Sequence, residues 1–551
     1  MYIRTTRRKN KDGSVVEYLQ LAENQWDPDA GRSQARILYS FGRADQIDAD
    51  QIRRLVKSLA RFLSPAEAVQ ATAAVDGTPA LDFLESRPWG GAWALDQLWQ
   101  HLGIQEALES MIQDRAYRVP IERALFAMVA NRALAPQSKL SVSEWVAQDV
   151  ALPGVDTLPV QQLYRAMDFL LEAQDQVQWK IYDQIAHLLN LEVDLLYFDT
   201  TSTYFETDET DGDEGFRQFG HSKDHRKDRP QIVIGLAVTR DGLPIRCWSW
   251  SGNTSDQAVV EQVKADLVGW KLGRVVTVVD RGMVSEANLR TLQRAGGQYI
   301  AGVKLRSGQP EVETALSKRG RFTPVQEHLR IKEILVGEGE ARQRFVLAYN
   351  PREAERQAAT RDAMLDALEE QLQQLRTLDG TAHTKAHCDL RSHPTYGRYV
   401  RMLKTGALKI DRTKVRNEAF LDGKYLLTTS DDTLEAADVA LGYKQLLQVE
   451  DAFRTLKSRL ALRPMFHRKP ERIQAHVVLC WLALLLVRVA ENRTDESWAT
   501  IRRTLERLHL VTFKGAHGKV QQRTELTPNQ HHLFRQVEVE PPPRIAEMSP
   551  Q

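Results

Sequence analysis

Asp199 lies inside "LEVDLLYFDTTSTYFE" (Leu191 to Glu206), an apolar, aromatic and β-branched run of the kind that builds a buried strand. An unpaired carboxylate in a strand interior costs several kcal/mol unless a cation meets it. Asp280 repeats the arrangement, ending the apolar run "VVTVV" just before "RGM". If the two strands lie side by side, their carboxylates fall at neighbouring positions, where they repel and raise each other's pKa unless a hard cation keeps both ionised. Mg²⁺ suits such a place, because it takes one or two carboxylates, keeps its waters and accepts phosphate oxygens. A third acid, Glu450, lies in "YKQLLQVEDAFRTLK". Tyr443, Glu450 and Lys457 are spaced seven residues apart, so one continuous helix would project all three from one face. Arg454 follows Glu450 by one turn, while Leu446, Phe453 and Leu460 point to the core edge. Two readings fit that face: a metal-ligating acid beside groups that hold phosphate oxygens, or a surface Glu–Arg and Glu–Lys pattern on a packed helix.

The elements that must position these side chains follow from hydrophobic period. Leu195 to Tyr204, "QIVIGLAV" and "IRCWSW" read as three strands, the last two joined by a tight turn at Asp241-Gly242. "SDQAVVEQVKADLVGW" reads as a helix capped by Ser255 or Asp256, "GRVVTVVD" as a fourth strand, "SEANLRTLQRAG" as a helix and "QYIAGVK" as a fifth strand. The order β-β-β-α-β-α-β is that of a mixed sheet with one antiparallel hairpin. Upstream, "SVVEYLQL" and "ARILYSFG" form a hairpin, Asp48 to Leu63 an amphipathic helix, and Ala80 to Asn190 a helical region. After Lys304 come strand-like "RQRFVLAYN", a helix from about Pro351 to Leu378, strand-like "KYLLTTS" and the single helix "DVALGYKQLLQVEDAFRTLKSRL"; the last residues, "VEVEPPPRIAEMSPQ", read as frayed.

Composition sets the outer bounds. With 551 residues, 42% hydrophobic and 27% charged, the chain has room for several domains and a sizeable core. Three scattered cysteines argue against a disulfide framework and fit a reducing cytoplasm. The apolar run from Val477 to Val487 is too short to span a bilayer and reads as a core helix, so no membrane partner is expected. Lys and Arg total 74 against 73 Asp and Glu, so any attraction for a polyanion must come from distribution. Cations crowd into "RTTRRKNK", "RYVRMLKTGALKIDRTKVR" (Arg398 to Arg416), "RTLKSRLALRPMFHRKPER" and the loop "GHSKDHRKDRPQ", whose Lys223, His225 and Arg226 are candidate phosphate contacts. Asn253 and Asp256 in "GNTSD" and Glu206 with the acidic loop behind it are secondary candidates. His383, His387 and Cys388 have ligand spacing but lack a fourth ligand for zinc, and Leu365, Leu368, Leu372 and Leu375 read as packing residues. No Walker A, dinucleotide-binding or HExxH pattern is present, so no nucleotide cofactor is expected.

Together, "YFDTTSTYFE", "GHSKDHRKDRPQIVIGLAV", "GNTSD", "VVDRGM" and "YKQLLQVEDAFRTLKSRLALRPMFHRKPERIQAH" resemble the DDE transposases of bacterial insertion sequences, in the branch with a Tyr-Arg-Glu-Lys signature. The resemblance implies an α/β fold with a ribonuclease-H-like mixed sheet core, an inserted α+β segment and a mainly helical N-terminal region. It implies that Asp199, Asp280 and Glu450 are the catalytic, metal-holding acids, with two Mg²⁺ or Mn²⁺ ions, and that Tyr443 and Lys457 contact phosphate. Leu446 stands where the signature has Arg, and Arg454 is the candidate replacement. The domains expected are 1–80 (hairpin and helix, DNA binding), 81–190 (helical, DNA binding), 191–304 (first part of the core), 305–421 (insertion), 422–510 (second part, with the Glu helix) and 511–551 (tail). The partners implied are double-stranded DNA, as element ends and target, and a second copy of the chain during synapsis. A ribonuclease-H-like nuclease without strand transfer and a DNA-binding protein with a decayed site remain as alternative readings.

Overall fold

The computed structural model describes residues 1–551 apart from 29–30, 65–66, 69–70, 72–73, 76–81, 114–119, 189–194, 213, 271–275, 307, 340–341, 516–517 and 551. The starts of two strand readings above, 191–194 and 273–275, therefore lie outside the described residues. The chain opens with an antiparallel meander of β1 (Tyr2–Lys9), β2 (Val15–Asp27) and β3 (Arg32–Arg43). The basic arm is thus a strand added to the expected hairpin: "YIRTTRRK" pairs along β2 from Tyr2↔Ala22 to Lys9↔Val15. Asp48 caps the helix Ala49–Ala60 by accepting from the Asp50 amide, which places its start where the sequence does.

A strand β4 (Asp82–Pro88) and a set of helices lead to the central sheet. Its strands are β5 (Leu195–Tyr204), β6 (Gln231–Val238), β7 (Pro244–Ser251), β8 (Val276–Val279), β9 (Gln298–Val303), β10 (Thr323–Gln326), β11 (Leu329–Val336) and β12 (Gln343–Tyr349). After a small hairpin of β13 (Val400–Met402) and β14 (Leu408–Ile410), β15 (Lys424–Thr429) completes it. The nine strands run β10-β11-β12-β15-β9-β8-β5-β6-β7, with β5, β8 and β9 parallel and the other pairs antiparallel. The molecule is a mixed α/β structure, and the sheet does not stop at residue 304. β10 to β12 and β15 extend it beyond β9, because β15 supplies the antiparallel partner that the β9 edge would otherwise lack.

Alternation along β5 splits its side chains between two layers. Leu195 and Tyr197 join the larger core, while Leu196 and Phe198 join a second one with the helices Val260–Gly269 and Glu286–Gln293. The larger core unites the helices of residues 90–188 with the helix Pro470–Thr494, which is long and apolar enough to cross a membrane but has 94% of its apolar window buried in the protein. It is the core helix expected. Leu365, Leu368, Leu372 and Leu375 are packing residues as well, holding the helix Pro351–Leu375 against β13 and β14.

Three expectations are corrected. The helix after β7 begins at Val260 with no side-chain cap, so Ser255 and Asp256 do not cap it; Asp256 has a different partner, described below. The expected single helix from Asp438 to Leu460 is broken into Ala436–Lys444, Leu447–Arg454 and a wider turn over Thr455–Arg459. The final residues are not frayed. β16 (His509–Gly515), β17 (Gly518–Arg523) and β18 (Ile545–Pro550) form a sheet with β4, and the loop before β18 is held by Trp93 Nε1 donating to the Glu540 carbonyl at 2.8 Å and Arg493 donating to the Val537 carbonyl at 2.7 Å. A proline-rich, charged composition hides a strand whose order comes from pairing with β17.

Candidate active site

The parallel register of β5 and β8 runs Leu195↔Val276 to Phe198↔Val279, so the next residues are Asp199, in the middle of β5, and Asp280, immediately past the end of β8. Side-chain alternation puts them on one face, with Tyr197 and Val278 two residues behind. The adjacency expected from the sequence is present. Asp199 accepts the Thr200 amide at 2.7 Å. Burial pushes its carboxyl up to about 6, against the pull of the Lys223 ammonium and the Thr200 amide and with the push of Asp280 and Asp256.

The cation that meets Asp199 in this structure is Lys223, at 3.6 Å. The Lys223 ammonium also lies 3.3 Å from Asp256 and donates to the Thr200 carbonyl at 2.7 Å and hydroxyl at 2.9 Å, while the Thr200 hydroxyl donates to Asp256. Asp256 therefore belongs to the acidic cluster. Loop 215–231 carries Lys223 and lies tight against the β6–β7 end. A Cβ on Gly252 would fall 2.7 Å from the Gln231 carbonyl carbon, and one on Gly220 would fall 2.9 Å from that of Gly252. This close approach gives "GHSK" and "GNTSD" their glycines. In the same loop Arg226 pairs with Asp228 at 2.9 Å and stacks its guanidinium 4.9 Å from the Tyr204 ring, and His225 is exposed with a left-handed φ of 60°.

Across the cleft, Tyr443 donates its hydroxyl to Asp280 at 2.8 Å, and burial together with the Asp280 carboxylate drives the phenol pKa up. Gly302 on β9 gives the tyrosine room, since a Cβ there would lie 2.8 Å from Tyr443 Cζ. The helix breaks immediately afterwards through i→i−3 bonds at Leu446 and Gln448, pinned by Tyr197 donating to the Gln445 side chain at 2.7 Å. Tyr443, Glu450 and Lys457 consequently do not share one straight helix face. Tyr443, Leu446 and Glu450 line a cleft of about 500 Å³ with Asp280. Gln326, His328, Asn350 and Tyr425 from the segment after β9 line it too, a contribution that no local sequence signal announced.

Lys457 turns instead to Asp224, donating to it at 2.9 Å, and Arg463 meets the same carboxylate at 3.2 Å. Burial pulls the Lys457 pKa down and Asp224 opposes that pull. Asp224 escaped the sequence reading because its partners lie more than 230 residues away. Arg454 is exposed and pairs with Asp451 at 2.9 Å, while Leu446 is buried in the core.

Asp199 and Asp280 offer hard oxygen donors at a partly desolvated place that already attracts an ammonium, which fits a hard divalent cation. Glu450 lines the same cleft as Asp280 without closing a cage: among the described residues no three His, Cys, Asp or Glu side chains stand close enough to hold an ion together. The His383 and His387 rings lie 6.0 Å apart, and His387 hydrogen-bonds the Gly406 carbonyl at 3.0 Å.

Residues 198–486 match the family model described as the transposase DDE domain, and residues 3–71 match that of the IS1634 family transposase N-terminal domain. No curated protein matches. Among solved structures, the piggyBac transposase synaptic complex with hairpin DNA aligns at 11% identity and a TM-score of 0.34, covering 76% of this chain and 79% of that one. With the DDE match spanning more than half of its length and including Asp199, Asp280 and Glu450, the chain belongs to the DDE transposases of insertion sequences.

Proposed function

We propose that this transposase cuts DNA at the ends of its insertion sequence and joins the freed 3′-hydroxyl to target DNA, using a ribonuclease-H-like core of the Tyr-Arg-Glu-Lys branch. The observation that carries the reading is the parallel pairing of β5 and β8, which sets Asp199 of β5 beside Asp280 just past β8, with Asp280 and Glu450 lining one cleft. In this reading the three acids would hold divalent ions, Mg²⁺ or Mn²⁺, which would supply Lewis acidity at the phosphodiester. Tyr443 orients Asp280 through its hydroxyl. Lys223 neutralises Asp199 and Asp256 in the free protein and is positioned to meet a phosphate oxygen when DNA enters, with His225, Arg226 and Lys457 on the same rim.

The N-terminal meander and its basic strand would recognise the element end, two copies of the chain would pair the ends, and the protein would work in the cytoplasm. The test is a supercoiled plasmid carrying the DNA that flanks the gene on both sides, incubated with the protein in Mg²⁺ or in chelator. Mg²⁺-dependent nicks at the ends followed by joined products are expected. Cutting without joined products would leave a nuclease, and no cutting at all would overturn the reading.

A further inference from the structure

The basic run Arg398 to Arg416 is not used by the cleft. It contains β13, β14 and the start of the helix Arg412–Phe420. Val400, Leu408 and Ile410 turn inward against Leu365, Leu368, Leu372 and Leu375, which leaves the cations outward. Arg398, Arg401, Lys404, Lys409, Lys414 and Arg416 are all exposed, and among the described residues none of them is in an ion pair. The nearest acids in sequence are already engaged. Asp411 caps its helix through the Thr413 and Lys414 amides, and Glu418 pairs with Arg306.

Two placements work against the stability of the free protein. Arg401 lies directly opposite Lys409 in the β13–β14 register, a like-charge cross-strand pair. Arg412 and Arg416 are one helical turn apart, a second repulsive spacing. The inner part of the same segment is arranged otherwise, with Arg356 on Glu353 at 2.6 Å and Arg361 on Asp422 at 2.6 Å. Repulsion held on an exposed surface is relieved by a polyanion, and a DNA backbone offers one charge per about 1.7 Å of duplex axis.

Position selects which DNA. The helix Pro351–Leu375 is capped by Asn350, which lines the catalytic cleft, and the basic hairpin packs on its outer residues from Leu365 onward. At 1.5 Å per residue those residues lie about 22–37 Å from Asn350 along the helix, or about seven to eleven base pairs at 3.4 Å each. We propose that the β13–β14 hairpin and the helix after it form a phosphate-backbone clamp for the element-end duplex being cut, about seven to eleven base pairs from the scissile bond. This rests on the transposition reading above and adds a measuring contact to it.

The experiment uses the full chain and two duplexes copied from the DNA flanking the gene, a long one and one ending about four base pairs to either side of the cleaved bond. R401E/K409E keeps the like-charge geometry with its sign reversed, and R401Q/K409Q removes it. For both variants, affinity for the long duplex should fall about ten- to a hundredfold, with a salt slope smaller by roughly 0.9 per lost contact. Affinity for the short duplex should stay within about twofold of wild type, as should cleavage at saturating long duplex, and R401Q/K409Q should melt no lower than wild type. Unchanged affinity for the long duplex overturns the clamp. So does an equal loss on both duplexes, or normal end binding with a loss confined to joining into target DNA. A wild type that binds and cuts neither duplex is a separate result, because it overturns the transposition reading itself.

Discussion

Lys457 and Lys409 are both lysines of a DNA-handling chain, and their surroundings are opposite. Lys457 is 15% exposed and bonded to Asp224, which also takes Arg463; beside it Lys223 lies between Asp199 and Asp256, and Tyr443 is bonded to Asp280. Lys409 is exposed opposite Arg401 and, among the described residues, is in no ion pair. Lys457, Lys223 and Tyr443 are met by acids within the protein, so their geometry is set before DNA arrives and a change to any of those acids leaves a partner stranded. The outer hairpin leaves its cations unsatisfied, so it gains on meeting a polyanion. A chain with a net charge of +1 can thus act on DNA through distribution alone.

The hardest test of this contrast neutralises the cleft acids. Asp199→Asn, Asp280→Asn and Glu450→Gln should each lower strand cleavage by about a thousandfold or more, roughly 4 kcal/mol of barrier, while binding to the end duplex holds within about threefold. A gel shift and a cleavage assay on the same preparations decide it. Substantial Mg²⁺-dependent cutting by any of the three removes that residue from the catalytic set. The hairpin variants should show the converse, with binding lost and chemistry intact.

Stability gives the next largest difference. Asp224→Asn leaves Lys457 and Arg463 without their anion at a place where 15–24% of their side chains is exposed, so the cost should be about 2–4 kcal/mol, below that of a fully buried pair. A lowered urea midpoint with an unchanged slope is the expected reading, and the double variant Asp224→Asn/Lys457→Gln should recover part of the loss. If Asp224→Asn is as stable as wild type, the cleft network does not differ energetically from the outer hairpin.

Asp199 and Asp280 were legible in the sequence because a carboxylate in an apolar strand is a local anomaly, and the β-β-β-α-β-α-β order already allowed the two strands to be neighbours. Asp224 was not, since its role exists only when its loop folds onto the turn after Glu450. The helix break at Gln445 was hidden as well: "YKQLLQVEDAF" contains no Gly or Pro, and the break depends on a hydrogen bond from Tyr197 on β5. "KYLLTTS" read correctly as a strand, but its place between β9 and β12, which carries the sheet on past residue 304, is a pairing choice that local period does not encode.

A smaller effect probes how the tyrosine is seated. Gly302→Ala should push the Tyr443 ring, which stacks on Tyr425 with centroids 6.1 Å apart, away from Asp280. Overpacking of this kind costs about 1–3 kcal/mol, and cleavage at saturating DNA should fall roughly tenfold, as it should for Tyr443→Phe, which removes a hydrogen bond to a charged group worth about 1.5–3 kcal/mol. If Gly302→Ala cuts at the wild-type rate, the hydroxyl on Asp280 does not set the acid's position.

The smallest expected effect belongs to Arg454, which tests where the cleft ends. Its guanidinium is 71% exposed and held by Asp451 at 2.9 Å, and Asp451 also receives Arg488. Leu446, one turn before Glu450, is only 7% exposed and packs in the core, so it brings no charge to that turn. An exposed pair one helical turn apart is worth about 0.3–0.5 kcal/mol. Arg454→Ala should therefore leave the urea midpoint nearly unchanged and alter cleavage by less than about threefold. A tenfold or greater loss at saturating DNA would mean that Arg454 leaves Asp451 for a phosphate when the duplex docks, since only a charged contact of about 1.5–3 kcal/mol could account for it. In that event Asp451→Asn, which frees the guanidinium in advance, should raise affinity for the cut end. If both variants are neutral, Arg454 stays on Asp451 in the DNA complex and the cleft ends between Glu450 and Arg454, within a single turn of helix.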